Sequence, residues 1–187
     1  MQLLRNPDLL PTDRPAVVTV GSFDGLHRGH LELIGRLVAE ARSRDAAAVV
    51  VTFEPHPRIA LGRGEGMLLL TDTAEKAELL AKCGVDYLVV LPFDRALAAR
   101  TGADFVAEYL QRRLRAVVLV AGHDHRFGCD RAEAAAFASE RLQIVEIGPC
   151  MADGRAISST AIRTLIAERR FAEAEALLGH PIRLTQR

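Results

Sequence analysis

The chain lacks the features that mark several large classes of protein. It has no apolar run long enough to span a bilayer. Its opening, "MQLLRNPDLLPTDRP", lacks the charged-then-apolar order of a secretory leader. Pro7, Pro11 and Pro15 would break a helix there, so residues 1–15 read as an N-terminal extension. Net charge is missing too, since 24 basic residues balance 24 acidic ones. That balance argues against a nucleic-acid or anionic-lipid partner bound over a broad basic face, while leaving room for a local basic pocket. Lysine is confined to Lys76 and Lys82; arginine supplies the remaining positive charge. Cys83, Cys129 and Cys150 are odd in number, far apart and free of any C-x-x-C pair. They read as reduced thiols of a cytoplasmic protein, not as a disulfide framework. No internal repeat or flexible linker divides the 187 residues, which read as one domain with room for a real core.

What the chain does have is apolar runs of strand length. "AVVTVG" (16–21), "AAVVVTF" (47–53), "VDYLVVL" (85–91) and "AVVLVAG" (116–122) are continuous rather than alternating, and "LQIVEIG" (142–148) is a weaker fifth. Continuous β-branched runs suit parallel strands covered on both faces. Between them lie "HLELIGRLVAEARSR", "TAEKAELLAKCG" and "ADFVAEYLQRRLR", with apolar residues at three-and-four spacing. Thr71 or Thr73 is expected to cap the second of these, and Gly84 to end it. Two further helices are expected over Ser159–Arg169 and Phe171–Leu178. Such alternation predicts an α/β fold, a doubly wound parallel sheet of about five strands built from right-handed crossovers.

In sheets of this kind ligands sit beyond the carboxyl ends of the strands. The residues rich in chemistry follow those ends: "GSFDGLHRGH", "EPHP", "PFD", "GHDHRFG", and lastly "ISSTAIR". Gly21 and Gly25 permit a tight turn. His27 and His30 share one face at a helix start, with Gly29 bare between them. Unpaired amides and the helix dipole favour an anion there, so the group reads as a polyphosphate cradle. Two other readings stand beside it: a helix start with incidental histidines, or two ligands of a zinc site whose remaining ligands lack recognisable spacing. The dinucleotide fingerprint G-x-G-x-x-G is absent. Ser158, Ser159 and Thr160 precede a second helix, with Arg163 on its first turn. Helix capping explains one hydroxyl; three of them with an arginine suit a second anion clamp.

Together, "GSFDGLHRGH" and "ISSTAIR" resemble the HxGH nucleotidyltransferases. "VTFEPHP", "LLTDTAEKAELLAKCGVDYLVVLPFD", "FVAEYLQRRLRAVVLVAGHDHRFG" and "ISSTAIR…FAEAEALLGHPI" are similar, in order, to the FMN adenylyltransferase module of prokaryotic bifunctional riboflavin kinase/FAD synthetases. The likeness runs from Val17 to Ile182. It implies a Rossmann-like fold of nucleotidyltransferase type and transfer of the adenylyl group of ATP to FMN, with Mg²⁺. It gives His27, His30 and Arg163 to charge neutralisation on the phosphates. It gives Gly21, Phe23, Gly25, Ser158, Ser159 and Thr160, with those three, to ATP. Phe53, Pro55, His56, Pro57, Asp124 and Phe127 go to FMN. No resident metal ligand is assigned, and no oligomeric state.

Three departures qualify the resemblance. His123 and His125 stand where the family usually has apolar or aromatic residues. "CDRAEAAAF" replaces a basic, glycine-containing stretch. The sequence ends at Arg187 where the bifunctional proteins continue into a β-barrel kinase, so riboflavin kinase activity is expected to be absent, whether the chain is an excised domain or a stand-alone enzyme. The alternatives are a nucleotidyltransferase for another phosphorylated metabolite, or a flavin- or nucleotide-binding module without catalysis.

Overall fold

A computed structural model of the protein describes residues 1–183 apart from positions 12 and 153. Six parallel strands form its central sheet: β1 (Gln2–Leu4), β2 (Ala16–Val20), β3 (Ala47–Glu54), β4 (Tyr87–Pro92), β5 (Ala116–Gly122) and β8 (Gln143–Ile147), in the order β1-β4-β3-β2-β5-β8. The five expected strands are all present. The sixth corrects the reading of residues 1–15 as a mere extension, because Gln2, Leu3 and Leu4 pair with Tyr87, Leu88 and Val89 at the sheet edge. Two short antiparallel ribbons, β6 (Arg126–Phe127) with β7 (Ala132–Glu133) and β9 (Met151–Ala152) with β10 (Arg155–Ala156), follow the last two strands.

Strand side chains alternate between two cores. Ala16, Val18 and Val20 join Phe105, Val106, Leu110 and Phe127 on one face; Val17 joins Ile34, Leu37, Leu80 and Leu88 on the other. The second core is closed by α1 (Arg28–Ser43), whose Leu33, Ile34, Leu37 and Ala41 recur at helical spacing, and by α3 (Thr73–Lys82). The first is closed by α5 (Gly102–Phe105), which runs on as a wider π-type helix through Val106–Arg113. Single turns α2 (Pro57–Ala60) and α4 (Arg95–Ala98) follow β3 and β4. The cap of α3 is a second correction. Asp72, not Thr71 or Thr73, is extended at the cap position and accepts the Glu75 amide at 2.8 Å. A carboxylate there also complements the positive end of the helix dipole.

The strand order reverses beside β2. From β2 the chain moves through β3 and β4 toward one edge, then returns to β5 and β8 on the other side. The crevice at such a reversal opens between the carboxyl ends of β2 and β5. Two last helices, α6 (Ser159–Ala167) and α7 (Phe171–Leu178), pack together through Ile162, Ile166, Ala174 and Leu178, with Leu70 completing their small core.

Candidate active site

A cavity of about 530 Å³ lies at this crevice, within the range of small-molecule sites. Its walls are Gly21–Asp24, His27 and His30 after β2, His56–Arg58 after β3, Gly122–His125 after β5, and Ser158–Thr160 with Arg163 on α6. The two helix starts singled out from the sequence thus share one cleft. Of the residues the resemblance assigns to ATP, eight line it. The exception is Gly25, which has φ +81° and would drive an added β-carbon to 2.8 Å from Leu70. Its part is to let the turn close against α7 and the Leu70 segment. On the flavin side, His56, Pro57 and Asp124 line the cavity and Phe53, Pro55 and Phe127 do not. Phe127 is 3% exposed and belongs to the core, edge-on to Phe137 at 5.7 Å. His123 and His125 line the cavity instead, and His125 leans on Phe127 at 4.3 Å.

His27 caps α1. Its Nδ1 accepts the His30 amide at 3.4 Å, which assigns the ring proton to Nε2. The two imidazoles stack at 3.6 Å with planes 17° apart, and Phe23 meets His30 edge-on at 5.3 Å. Burial lowers the His27 pKa to about 4. Burial, then the neighbouring His27 and Lys76, hold His30 well below the usual histidine value. Both rings are therefore neutral near pH 7, and His27 offers a neutral N–H donor rather than a cation.

The turn that carries them is fixed from several distant segments. Asp24, 3% exposed, accepts the amides of Leu70 at 2.9 Å and Thr71 at 3.2 Å through one carboxylate oxygen; the other oxygen takes the Arg163 guanidinium. Arg163 Nε also donates to the Leu68 carbonyl at 2.7 Å. Ser159 donates to the Asp24 carbonyl at 2.8 Å, and Ser158 caps α6 by accepting the Ala161 amide at 3.2 Å. The Gly25 amide donates to Thr71 Oγ1 at 3.0 Å, and its carbonyl lies 2.8 Å from His180 Nε2. Sequence reasoning left Asp24 and His180 out of the site and took Thr71 only as a helix-cap candidate. Asp24 sits inside the quoted motif, so a buried carboxylate in a glycine turn was a usable signal. Its arginine lies 139 residues away, beyond any local pattern.

Among the described residues no three potential ligands gather into a metal site. The Asp24 carboxylate is already committed to a guanidinium and two amides. These residues do not fit a resident metal.

A six-stranded parallel sheet with helices on both faces, and two helix starts sharing a cleft at its switch point, defines an α/β domain of the nucleotidyltransferase type. The family model described as FAD synthetase matches residues 10–161. The chain belongs to the FAD synthetase family. It is 38% identical over 176 residues to the bifunctional riboflavin kinase/FMN adenylyltransferase of Escherichia coli K12, covering 91% of this chain and 56% of that one. To the protein of the same description from Pseudomonas fluorescens it is 35% identical, covering 100% of this chain and 62% of the other. The chain thus spans little more than half the length of these relatives. A solved structure from Streptococcus pneumoniae, described as a macrolide-efflux protein, superposes with TM-score 0.86 at 33% identity, over 96% of this chain and 61% of that one. Among the described residues no helix is long and apolar enough to cross a membrane.

Proposed function

We propose that the chain transfers the adenylyl group of ATP to FMN, giving FAD and pyrophosphate. The observation that carries this is the meeting of the α1 and α6 starts around one cleft, in a chain of the FAD synthetase family. An oxygen of the FMN phosphate attacks the α-phosphorus of ATP. A new P–O bond forms, the bond from the α-phosphorus to the bridging oxygen breaks, and pyrophosphate leaves with that electron pair. The FMN phosphate has a second pKa of about 6, so near neutrality it attacks as a dianion without a general base. Catalysis is then positioning and stabilisation of charge on the phosphates.

The side chains divide that work. His27, through Nε2–H, and the first amides of α1 donate to phosphate oxygens without bringing a formal charge. Ser158, Ser159 and Thr160 present hydroxyls and the first amides of α6 from the facing wall. Arg163, shared with Asp24, sits between the two groups, so it supplies a polarised guanidinium and rigidity more than a free cation. Mg²⁺ enters as the companion of the ATP phosphates and so counts as part of the substrate. The flavin ring lies toward His56, Pro57 and Asp124, where the flat imidazoles of His123 and His125 take the place of the Phe53 and Phe127 walls inferred from sequence. The three unpaired thiols support a cytoplasmic setting.

The test is direct. Purified chain with ATP, Mg²⁺ and FMN is expected to yield FAD, with the His27→Ala/His30→Ala double variant as control. FAD no higher than that control, or turnover with CTP or a non-flavin phosphate but not with FMN, overturns the assignment.

A further inference from the structure

One buried charge plays no part in the chemistry above. Lys76, on the first turns of α3, is 6% exposed. Its ammonium donates to the Ser22 carbonyl at 2.6 Å and to Thr52 Oγ1 at 3.3 Å, and Thr52 itself donates to the Ser22 carbonyl at 3.2 Å. Ser22 lines the cleft between Gly21 and Phe23. Both acceptors are neutral oxygens. The carboxylates of Asp24, Glu54 and Asp72 face the ammonium only at longer range. A buried cation held by neutral groups is costly, and a neutral donor or an apolar side chain would brace a carbonyl or fill the space at lower cost. The cation has a use if anions collect above it. His27 and His30 are neutral there, and Arg163 is committed to Asp24.

We infer that Lys76 is a positioning residue for nucleotide binding: it pins the Ser22 carbonyl, and with it the Phe23–His27 turn, and places a fixed positive charge beneath the polyphosphate. The inference rests on the nucleotidyl-transfer reading. Its field reaches the site, since Lys76 is one of the groups that hold His30 and His56 neutral. Burial lowers the Lys76 pKa to about 8, so the charge is lost as pH rises through that value. The other groups facing it leave that range clear. The carboxylates of Asp24 from the turn and Asp72 at the α3 cap face it; Glu54 from β3 is held below the usual carboxylate range, chiefly by its hydrogen bond with Arg5, and burial holds His30 from α1 and His56 after β3 below the usual histidine range, so none of these three titrates there. The substrate phosphates are fully ionised by pH 8. The cleft thiol Cys150 is held above its usual range by burial, and Cys150→Ala serves as a control for it.

The experiment measures ATP affinity, with Mg²⁺, by calorimetry from pH 7 to 10, and kcat/KM for FAD formation over the same range. The parent is expected to lose both above pH about 8. Lys76→Met is expected to lower both on the order of 10- to 100-fold at pH 7, the worth of a charge-assisted hydrogen bond, and to abolish the alkaline limb. Lys76→Arg, whose charge persists beyond pH 10, is expected to move the limb out of range, and it carries the test alone if Lys76→Met does not fold. A Lys76→Met protein within about twofold of the parent, or a Lys76→Arg protein with the parent's limb, overturns the inference. A parent that binds ATP but makes no FAD removes the FMN assignment and leaves the Lys76 result readable from affinity. A parent that binds no ATP removes both.

Discussion

Asp24 and Arg163, 139 positions apart in the chain, form an ion pair whose side chains are 3% and 17% exposed. The pair joins the turn after β2 to the first turn of α6, and through Leu68, Leu70 and Thr71 it also holds the segment that leads into α3. Breaking one member of a buried pair costs more than the pair contributes, because the survivor is left unpaired in a poorly solvated place. Arg163→Ala is expected to destabilise the fold by about 3 kcal/mol. For a chain of this size that lowers Tm by roughly 6–12 °C in a calorimetric scan. An unchanged Tm would count against the role given to the pair. The same variant loses turnover through the displaced turn, so its stability has to be measured beside its kinetics.

His27 combines a cap with a donor, and the two are separable. Asparagine is a strong cap, so His27→Asn is expected to keep α1 within about 0.5 kcal/mol of the parent in urea unfolding, whereas His27→Ala loses about 1 kcal/mol. Asn cannot reproduce the Nε2–H donor, and FAD formation is expected to fall by about 10²-fold in both variants. Full activity in His27→Asn would mean that the imidazole serves only the helix.

Acid should loosen the protein before its carboxylates titrate. The His27 and His125 pKa values are lowered by burial to about 4, against 6.5 for an unfolded chain, and His30 and His56 are shifted the same way. The unfolded state therefore binds more protons across that interval, and stability falls as pH drops from about 6.5 toward 4. The urea midpoint is expected to decline between pH 6.5 and 5, and to decline less steeply in His125→Phe. Parallel pH profiles for the two proteins would refute the neutral state of His125.

Gly128 closes the motif that contains Asp124 and Phe127. It has φ +70°, and a β-carbon there would lie 2.0 Å from the backbone nitrogen of Gly102. Backbone cannot yield as a side-chain tip can, so Gly128→Ala is expected to cost more than about 3 kcal/mol, or to leave the protein insoluble. Gly62→Ala, with φ +69° but open space around it, is the matched control at about 1 kcal/mol. Similar melting temperatures for the two variants would contradict the packing described.

The strands and helices that position the cleft were legible because their apolar residues run on continuously or recur at helical spacing. β1 was not, because three residues with Leu4 alone buried carry no period; its place is set by pairing with Tyr87–Val89. The paired helix starts were legible from His27, His30 and the Ser158–Thr160 run, whose chemistry is local. Lys76, Thr71 and His180 were not, since each acts on the turn after β2 from 46 to 155 residues away. Phe127 shows the opposite failure. Its position in a motif suggested a flavin wall, but side-chain direction depends on the β6–β7 ribbon, which turns it toward Phe105 and Phe137.

The His180 clasp on the Gly25 carbonyl bears on where the working unit stops. The family match closes at residue 161, just inside α6, and all of the sheet lies before that point. A fragment cut there would keep every strand and both histidines of the cradle, yet lose the guanidinium behind Asp24, the clasp on Gly25 and the whole of α7. A competent piece of this polypeptide is accordingly expected to extend through His180, because Arg163 and His180 hold the glycine turn from beyond that cut.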